Sequence, residues 1–188
     1  NVGLAQVGFV VVTFGHRGGS PMRDKWYHTF GYNNLRDYPL ADDKCGIEQL
    51  ADRFSLIDKS KVGIFGHSGG GFMSAAAICT YPDFYRAAVS SAGNHDNNIY
   101  NIWWGETHYG IKEKVVAEKR KVKNLVTGKD STVTIEKVEF EKPNIPTNIE
   151  LAERLKGYLL LVAGDADDNV HPANTFRMVD ALIKAGKD

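Results

Sequence analysis

The chain has 188 residues, of which 43% are hydrophobic and 24% charged, a composition typical of a globular domain with a sizeable core. Its 23 basic and 23 acidic residues give a formal net charge of zero, which argues against nucleic acid and anionic membrane surfaces as partners. No apolar run approaches the length of a membrane-spanning segment. The two cysteines, Cys45 and Cys79, have neither metal-site spacing nor the pattern of a disulfide framework.

Apolar runs and helical patterns alternate along the chain. Runs typical of strands buried on both faces of a parallel sheet stand at residues 9–14, 62–65, 86–91 and 157–163. Residues 1–7 are predicted to form the end of a helix. Further helices are predicted at residues 40–54, 72–80, 148–155 and 172–184. This alternation predicts a parallel α/β sheet, whose sites lie in the loops after the carboxyl ends of the strands.

Residues 112–148 differ in character from the rest of the chain, because they are dense in Lys and Glu and poor in large apolar side chains. Short β-type runs at residues 133–135 and 138–140, with a turn at 127–130, predict a hairpin or arm. The basic cluster at residues 119–121 is interpreted as a solvated surface rather than an anion site. We therefore expect a charged insertion or arm within a single domain.

The strongest motif is Gly-His-Ser-Gly-Gly at residues 66–70, directly after the second predicted strand and before a helix. A strand, a sharp turn and a helix form the context of a nucleophile elbow, which exposes a serine hydroxyl at the top of the sheet. The turn strains the backbone of Ser68, and Gly66 and Gly70 are the small neighbours predicted to permit it. The N-terminus of the following helix directs partial positive charge at a developing oxyanion.

The spacing of the glycines excludes two other kinds of glycine-rich loop. A Walker loop needs Lys after its last glycine, whereas Phe72 follows Gly71. A dinucleotide-binding fingerprint that starts at Gly66 or Gly69 would need a glycine where Ser68 or Ser74 stands. A tight turn without chemistry stays open as the simplest alternative.

A loop rich in carboxylates, Gly-Asp-Ala-Asp-Asp-Asn at residues 164–169, follows the last predicted strand. A serine nucleophile needs a base, and the base needs an orienting carboxylate, for which Asp165, Asp167 and Asp168 are candidates. A calcium loop is disfavoured, because Val170 stands where an EF-hand loop has its glycine. Helix capping or loop formation is the alternative role of each aspartate.

Together these motifs resemble the prolyl oligopeptidase family of serine peptidases, and most closely its dipeptidyl peptidase IV branch. The resemblance rests on residues 66–70 and on Gly-Asp-Ala-Asp-Asp-Asn-Val-His-Pro at residues 164–172, and is supported by residues 17–20 and by Asp24-Lys25. It covers most of the chain except about residues 112–148. It implies an α/β-hydrolase, with a mostly parallel sheet and flanking helices, in which residues 1–188 form a partial catalytic domain truncated at both ends.

The resemblance also implies roles for individual residues. Ser68 would be the nucleophile and Asp167 the triad carboxylate, while the N–H of Gly69 would be one oxyanion donor and Asn169 would contact the substrate carbonyl. Gly69 stands where the family usually has an aromatic residue. The aromatic stretch after the third predicted strand corresponds to the pocket for the residue before the cleaved bond. Candidates to line this pocket are Tyr100, Trp103 and Trp104. Each tryptophan can equally be interpreted as a core or propeller-interface residue.

None of the histidines fits the position of the triad base, which the family places beyond Asp167 in the loop after one more strand. We therefore predict structural or pocket-lining roles for His16, His28, His67, His95, His108 and His171. The resemblance places the base, a tyrosine hydroxyl as second oxyanion donor and a preceding β-propeller outside residues 1–188. Residues 1–188 alone are accordingly expected to be inactive.

The function implied is that of a dipeptidyl peptidase-like serine peptidase, which cleaves peptides by Ser-Asp-His acyl transfer. An esterase on the same fold and a non-catalytic α/β-hydrolase module that binds a ligand stay open as alternatives. No cofactor and no metal are implied. The expected partners are a peptide substrate, the propeller of the same polypeptide and, through unpaired sheet edges, a second copy in a homodimer. The resemblance favours an extracytoplasmic location, periplasmic or at the cell surface.

Overall fold

The computed structural model describes residues 2–123 and 125–187, and Asn1, Asn124 and Asp188 lie outside the described residues. The α-helices are α1 Val2–Gln6, α2 Lys25–His28, α3 Leu40–Arg53, α4 Gly69–Thr80, α5 Ile102–Tyr109 and α6 Ala173–Lys184. The strands are β1 Val62–His67, β2 Tyr85–Ser91, β3 Lys112–Lys123, β4 Asp130–Glu141 and β5 Tyr158–Val162, and a 3₁₀ helix spans Ile149–Arg154.

Strands β1, β2 and β5 form a parallel sheet in the order β1-β2-β5. One face of this sheet carries the core, because Ile64, Ala88 and Leu159 share a register row and pack against helices. Helix α4 contributes a run of alanines, residues 75–77, that are 0% exposed. Small side chains at these positions let the helix lie close to the strands and bury its own backbone. The core is completed by residues of α3, α6 and the 3₁₀ helix, among them Leu40, Met178 and Leu151.

The opposite face of the sheet is open, which corrects the prediction of strands buried on both faces. Phe65, Val89 and Leu160 share a register row on this face and are 52%, 37% and 57% exposed. The sequence predicts burial on both faces because both sets of alternating positions in these runs are apolar. Within the described residues, the helices that form the core pack on the Ile64 side only.

The predicted first strand, at residues 9–14, is not a strand in the structure, so this prediction is wrong. Phe9 and Val10 are 61% and 50% exposed, and the backbone N–H of Phe9 bonds to the carbonyl of Leu4 at 3.1 Å. Phe14 instead packs beside Gly46 of α3, where an added Cβ would lie 2.7 Å from its ring. An apolar run becomes a strand only where a neighbour pairs with its backbone, and within the described residues β1 pairs with β2 alone.

Strands β3 and β4 form an antiparallel hairpin, as predicted for this segment. Its strands differ from those expected, because the runs at residues 133–135 and 138–140 both belong to β4. Their partner is the Lys-rich strand β3, in which Val115 faces Val138. Most side chains of the arm are exposed, including the basic cluster at residues 119–121, in agreement with a solvated surface.

The remaining elements follow the predicted order with shifted bounds. Helix α4 begins at Gly69 rather than at residue 72, the segment after the arm is a 3₁₀ helix rather than an α-helix, and α5 forms within the aromatic-rich stretch. Within the described residues, the helices are too short or too polar to cross a membrane.

Candidate active site

Three loops meet at one edge of the sheet, because parallel strands place their carboxyl ends together. The backbone N–H of Ser68, after β1, donates to the carbonyl of Ser91 at 2.8 Å. The N–H of Ala92, after β2, donates to the carbonyl of Val162 at the end of β5 at 2.7 Å. These bonds hold the ends of β1, β2 and β5 in line, so the elbow and the carboxylate loop emerge at the same edge.

Ser68 has a positive φ, with φ +56° and ψ −121°, which lies outside the main allowed regions of backbone space. This is an unusual conformation for a residue with a side chain, and it occurs where the surrounding structure imposes it. Helix α4 starts at the next residue, and the N–H of Phe72 donates to the carbonyl of Ser68 at 3.0 Å. The strand, the strained serine and the helix form the elbow geometry that the sequence predicts.

The glycines of the elbow differ in whether the structure leaves space for a side chain at their positions. A Cβ added to Gly66 would overlap the backbone carbonyl of Gly70, and one added to Gly71 would lie 2.5 Å from the carbonyl oxygen of Ser91. A Cβ on Gly69 or Gly70 would meet nothing within 4 Å. The prediction that the turn needs a bare Gly66 is therefore confirmed. The second required glycine is Gly71, not Gly70, because α4 crosses the end of β2 there.

Replacing Gly66 with alanine is expected to lower the free energy of unfolding by about 3 kcal/mol, because the new methyl group meets backbone atoms that cannot rotate away. Urea unfolding of the full-length protein measures this change. Gly70→Ala is the matched control and should be neutral or slightly stabilising, since its Cβ is unobstructed and alanine favours a helix. Equal destabilisation by the two substitutions would contradict the steric explanation.

The carboxylate loop distinguishes Asp167 from the other two candidates. Its Oδ1 accepts the backbone N–H groups of Asn169 at 3.0 Å and Val170 at 2.9 Å, and the residue is half-buried. Asp165 and Asp168 are exposed. Within the described residues, Oδ2 of Asp167 accepts no hydrogen bond, so one oxygen shapes the loop while the other can hold an imidazole N–H. The loop-forming role and the triad role are therefore compatible in one side chain.

Two predicted substrate-binding residues meet in the structure. The hydroxyl of Tyr100 donates to Oδ1 of Asn169 at 2.8 Å, which joins the loop after β2 to the loop after β5. Trp104 packs edge-on against the Tyr100 ring with a centroid distance of 5.6 Å. Trp103, the other tryptophan candidate, is 65% exposed on α5. The aromatic wall beside Asn169 is therefore built from Tyr100 and Trp104.

The histidines are engaged away from the elbow hydroxyl. His67 Nδ1 contacts the hydroxyl of Ser91 at 3.1 Å, and His171 Nδ1 accepts the N–H of Ala173 at 3.1 Å. Burial lowers the pKa of His95 to about 4, so its ring is neutral near pH 7. Within residues 2–123 and 125–187, no histidine hydrogen-bonds to the side chain of Ser68 or of Asp167. These positions agree with the structural and pocket-lining roles expected of the histidines.

A buried polar layer beneath the site was not predicted from the sequence. Asp96 is 3% exposed, its carboxylate pairs with Arg177 of α6 at 2.9 Å, and its backbone N–H donates to Asn174 at 3.0 Å. His95 and Asn148 are 0% exposed and contact each other. The run of polar residues at 94–98, directly after an apolar strand, is the sequence feature from which this buried layer could have been predicted.

A strained serine between a parallel strand and a helix, with a carboxylate loop after a later strand of the same sheet, defines an α/β-hydrolase. Comparison with known families agrees with this class and narrows it. The chain belongs to the Prolyl oligopeptidase family, whose sequence profile matches residues 2–188.

Curated relatives include human dipeptidyl peptidase 8, which is 27% identical over 184 residues, covering 98% of this chain and 18% of the relative. Mouse prolyl endopeptidase FAP is 26% identical over 181 residues, covering 96% of this chain and 21% of the relative. The chain thus spans about a fifth of the length of these relatives.

Solved structures share the fold. A putative dipeptidyl aminopeptidase IV from Bacteroides ovatus superposes with a TM-score of 0.71 at 23% identity, covering 92% of this chain and 21% of that chain. Porphyromonas gingivalis dipeptidyl peptidase 4 gives a TM-score of 0.69 at 23% identity, with the same coverage. The agreement confirms the α/β-hydrolase architecture.

Proposed function

We propose that residues 1–188 form part of the catalytic domain of a serine peptidase that releases dipeptides from peptide substrates by acyl transfer on Ser68. The observation that carries this proposal is the φ of +56° at Ser68, between β1 and α4. A serine held in this conformation presents its hydroxyl above the sheet edge. Family membership supports a peptidase, and the names of several relatives support the release of dipeptides.

The first chemical step is attack by Ser68 Oγ on the carbonyl carbon that follows the second residue of the peptide. A histidine outside residues 1–188 removes the hydroxyl proton, and Asp167 Oδ2 holds that histidine in the productive tautomer. The carbonyl oxygen becomes an oxyanion, which the N–H of Gly69 stabilises at the start of α4. We therefore expect residues 1–188 alone to be inactive, because within the described residues no histidine hydrogen-bonds to the side chain of Ser68 or of Asp167.

Collapse of the tetrahedral intermediate breaks the peptide bond, and the protonated histidine gives its proton to the leaving amine. Water then attacks the acyl-enzyme with the same histidine as base, which releases the dipeptide and restores the Ser68 hydroxyl. Asn169 contacts the substrate carbonyl, and Tyr100 orients Asn169 through their hydrogen bond of 2.8 Å. Tyr100 and Trp104 form the apolar wall for the residue before the cleaved bond. Trp103, 65% exposed, is the further candidate for contact with that residue.

Substrate panels test this proposal on the purified full-length protein. We expect Gly-Pro and Ala-Ala anilides to be cleaved with a higher kcat/KM than short acyl esters. Acetyl-Gly-Pro anilide is the control, because a dipeptidyl peptidase requires the free amino terminus and should turn it over at least tenfold more slowly. Efficient cleavage of the acetylated substrate would indicate an endopeptidase, and turnover of the esters alone would indicate the alternative esterase function.

Two packing partners are proposed for this domain in the full-length protein: a β-propeller and a second copy of the protein. We propose that a β-propeller of the same polypeptide accompanies this domain, and that the full-length protein forms a homodimer. The open sheet face and the free edge of β1 are consistent with further packing partners.

A further inference from the structure

A chain of buried hydrogen bonds lies beneath the first turn of α4. Its side chains are Asn148, His95 and Ser90, which are 0%, 0% and 1% exposed. They come from three separate parts of the sequence: the entry to the 3₁₀ helix, the loop after β2 and the end of β2 itself. The mechanism proposed above assigns no role to them.

The direction of each bond follows from its chemistry. The amide nitrogen of Asn148 donates one proton to the carbonyl of Phe72 at 2.8 Å and lies 3.1 Å from His95 Nδ1. An amide nitrogen only donates, so Nδ1 is the acceptor and the neutral ring carries its proton on Nε2. That nitrogen faces the hydroxyl of Ser90 at 3.4 Å, and Ser90 donates to the carbonyl of Gly71 at 2.8 Å.

The chain continues through two peptide groups. The carbonyl of Gly71 and the N–H of Phe72 belong to one peptide, and this N–H donates to the carbonyl of Ser68 at 3.0 Å. The carbonyl of Ser68 shares its peptide with the N–H of Gly69, the proposed oxyanion donor. Each bond therefore polarises the next in the same direction, from His95 to the N–H that would meet the substrate oxyanion.

We propose that Ser90 and His95 are positioning residues that hold and polarise the N–H of Gly69 for transition-state binding. This inference rests on the proposed function, because it concerns the oxyanion donor of that reaction. Aligned hydrogen bonds in a dry interior strengthen one another by about 10–30% per bond. A preorganised donor contributes to catalysis because it requires no reorientation when charge develops on the substrate.

Local packing keeps this chain of bonds in place. A Cβ on Gly93 would lie 2.8 Å from both His95 Nε2 and Ser90 Oγ, so a bare glycine admits the pair. The bare Gly71 likewise lets its carbonyl reach the end of β2. Burial lowers the pKa of His95 to about 4, so the ring stays neutral, and the proton stays on Nε2, above that pH.

Replacing Ser90 with alanine in the full-length protein tests the inference. We expect kcat for Gly-Pro anilide to fall about tenfold with KM unchanged, less than the 10²–10³-fold loss that follows outright removal of an oxyanion donor. Ser74→Ala is the matched control. Ser74 is also 1% exposed and donates to the carbonyl of Gly70 at 2.7 Å, but that peptide does not donate to Ser68. The control should stay within about twofold of wild type.

A second readout does not require catalysis. Carbonyl-¹³C serine with ¹⁵N glycine selects the amides of Ser-Gly pairs, of which residues 1–188 contain one, Ser68-Gly69. The selected signal that disappears in Ser68→Ala is the Gly69 amide. The amide proton should shift upfield in Ser90→Ala and in His95→Leu, but not in Ser74→Ala. His95→Gln, which retains a donor near Nε2, should restore most of the shift and of kcat.

The outcomes separate the two proposals. An unchanged chemical shift of the Gly69 amide proton in Ser90→Ala overturns the proposed polarisation by Ser90 and His95, whether or not the protein is a peptidase. A shifted amide with unchanged kcat overturns its role in catalysis. A wild-type protein that cleaves no substrate and whose Ser68 resists a fluorophosphonate overturns the proposed function, and the catalytic role of Ser90 and His95 with it.

Discussion

Replacing Ser68 with alanine in the full-length protein is expected to lower kcat for dipeptide anilides by about 10⁴- to 10⁶-fold. In the proposed mechanism the Ser68 hydroxyl forms the acyl-enzyme, so no covalent intermediate should accumulate without it. The backbone of the elbow should persist, because alanine occupies the same strained φ with a smaller side chain. Initial rates on Gly-Pro anilide, together with fluorophosphonate labelling followed by mass spectrometry, measure both consequences.

Ser91→Ala is the control for this substitution. Ser91 is paired with His67 across the β1–β2 register, and its hydroxyl contacts the His67 ring at 3.1 Å, so it is a neighbouring serine at the same sheet edge. Its loss should change kcat by less than tenfold and leave labelling intact. Wild-type rates in Ser68→Ala, or labelling that moves to Ser91, would show that the nucleophile is elsewhere.

Replacing Asp167 with asparagine is expected to lower kcat by about 10⁴-fold with little loss of stability. An asparagine Oδ1 can still accept the N–H groups of Asn169 and Val170, so the loop keeps its shape. What disappears is the negative charge on the second oxygen, which would stabilise the imidazolium and select the correct tautomer. Steady-state kinetics and a thermal melt of the same preparation separate the two effects.

Two aspartates of the same loop provide matched controls. Asp165 and Asp168 are exposed, and their conversion to asparagine removes the same charge from the same loop. Each should retain kcat within about tenfold, because exposed charges are screened by water and salt. A loss equal to that of Asp167→Asn in either control would indicate that the overall charge of the loop, rather than one oriented carboxylate, supports activity.

Local sequence determined the two candidate groups of the proposed reaction. The elbow at Ser68 and the loop at Asp167 could be predicted because each depends on neighbours within a few residues: a strand before, a tight turn, and a helix after. Gly66 was predicted correctly for the same reason, since the obstruction arises from residues four positions away. The hairpin was also predicted, although the charged strand β3 lacks the apolar alternation that marks a strand.

Tertiary structure decided whatever depends on neighbours distant in sequence. The apolar run at residues 9–14 has strand composition but, within the described residues, no neighbouring strand pairs with it. Phe65 and Leu160 are apolar yet exposed because the core helices pack on the other face. Trp104 rather than Trp103 meets Tyr100 because the turn of α5 selects one of two adjacent side chains. His95, Ser90 and Asn148 form one network only after β2 and the 3₁₀ helix pack against α4. Spacing along the chain reveals chemistry built from adjacent residues, whereas burial and hydrogen-bond direction exist only once distant segments meet.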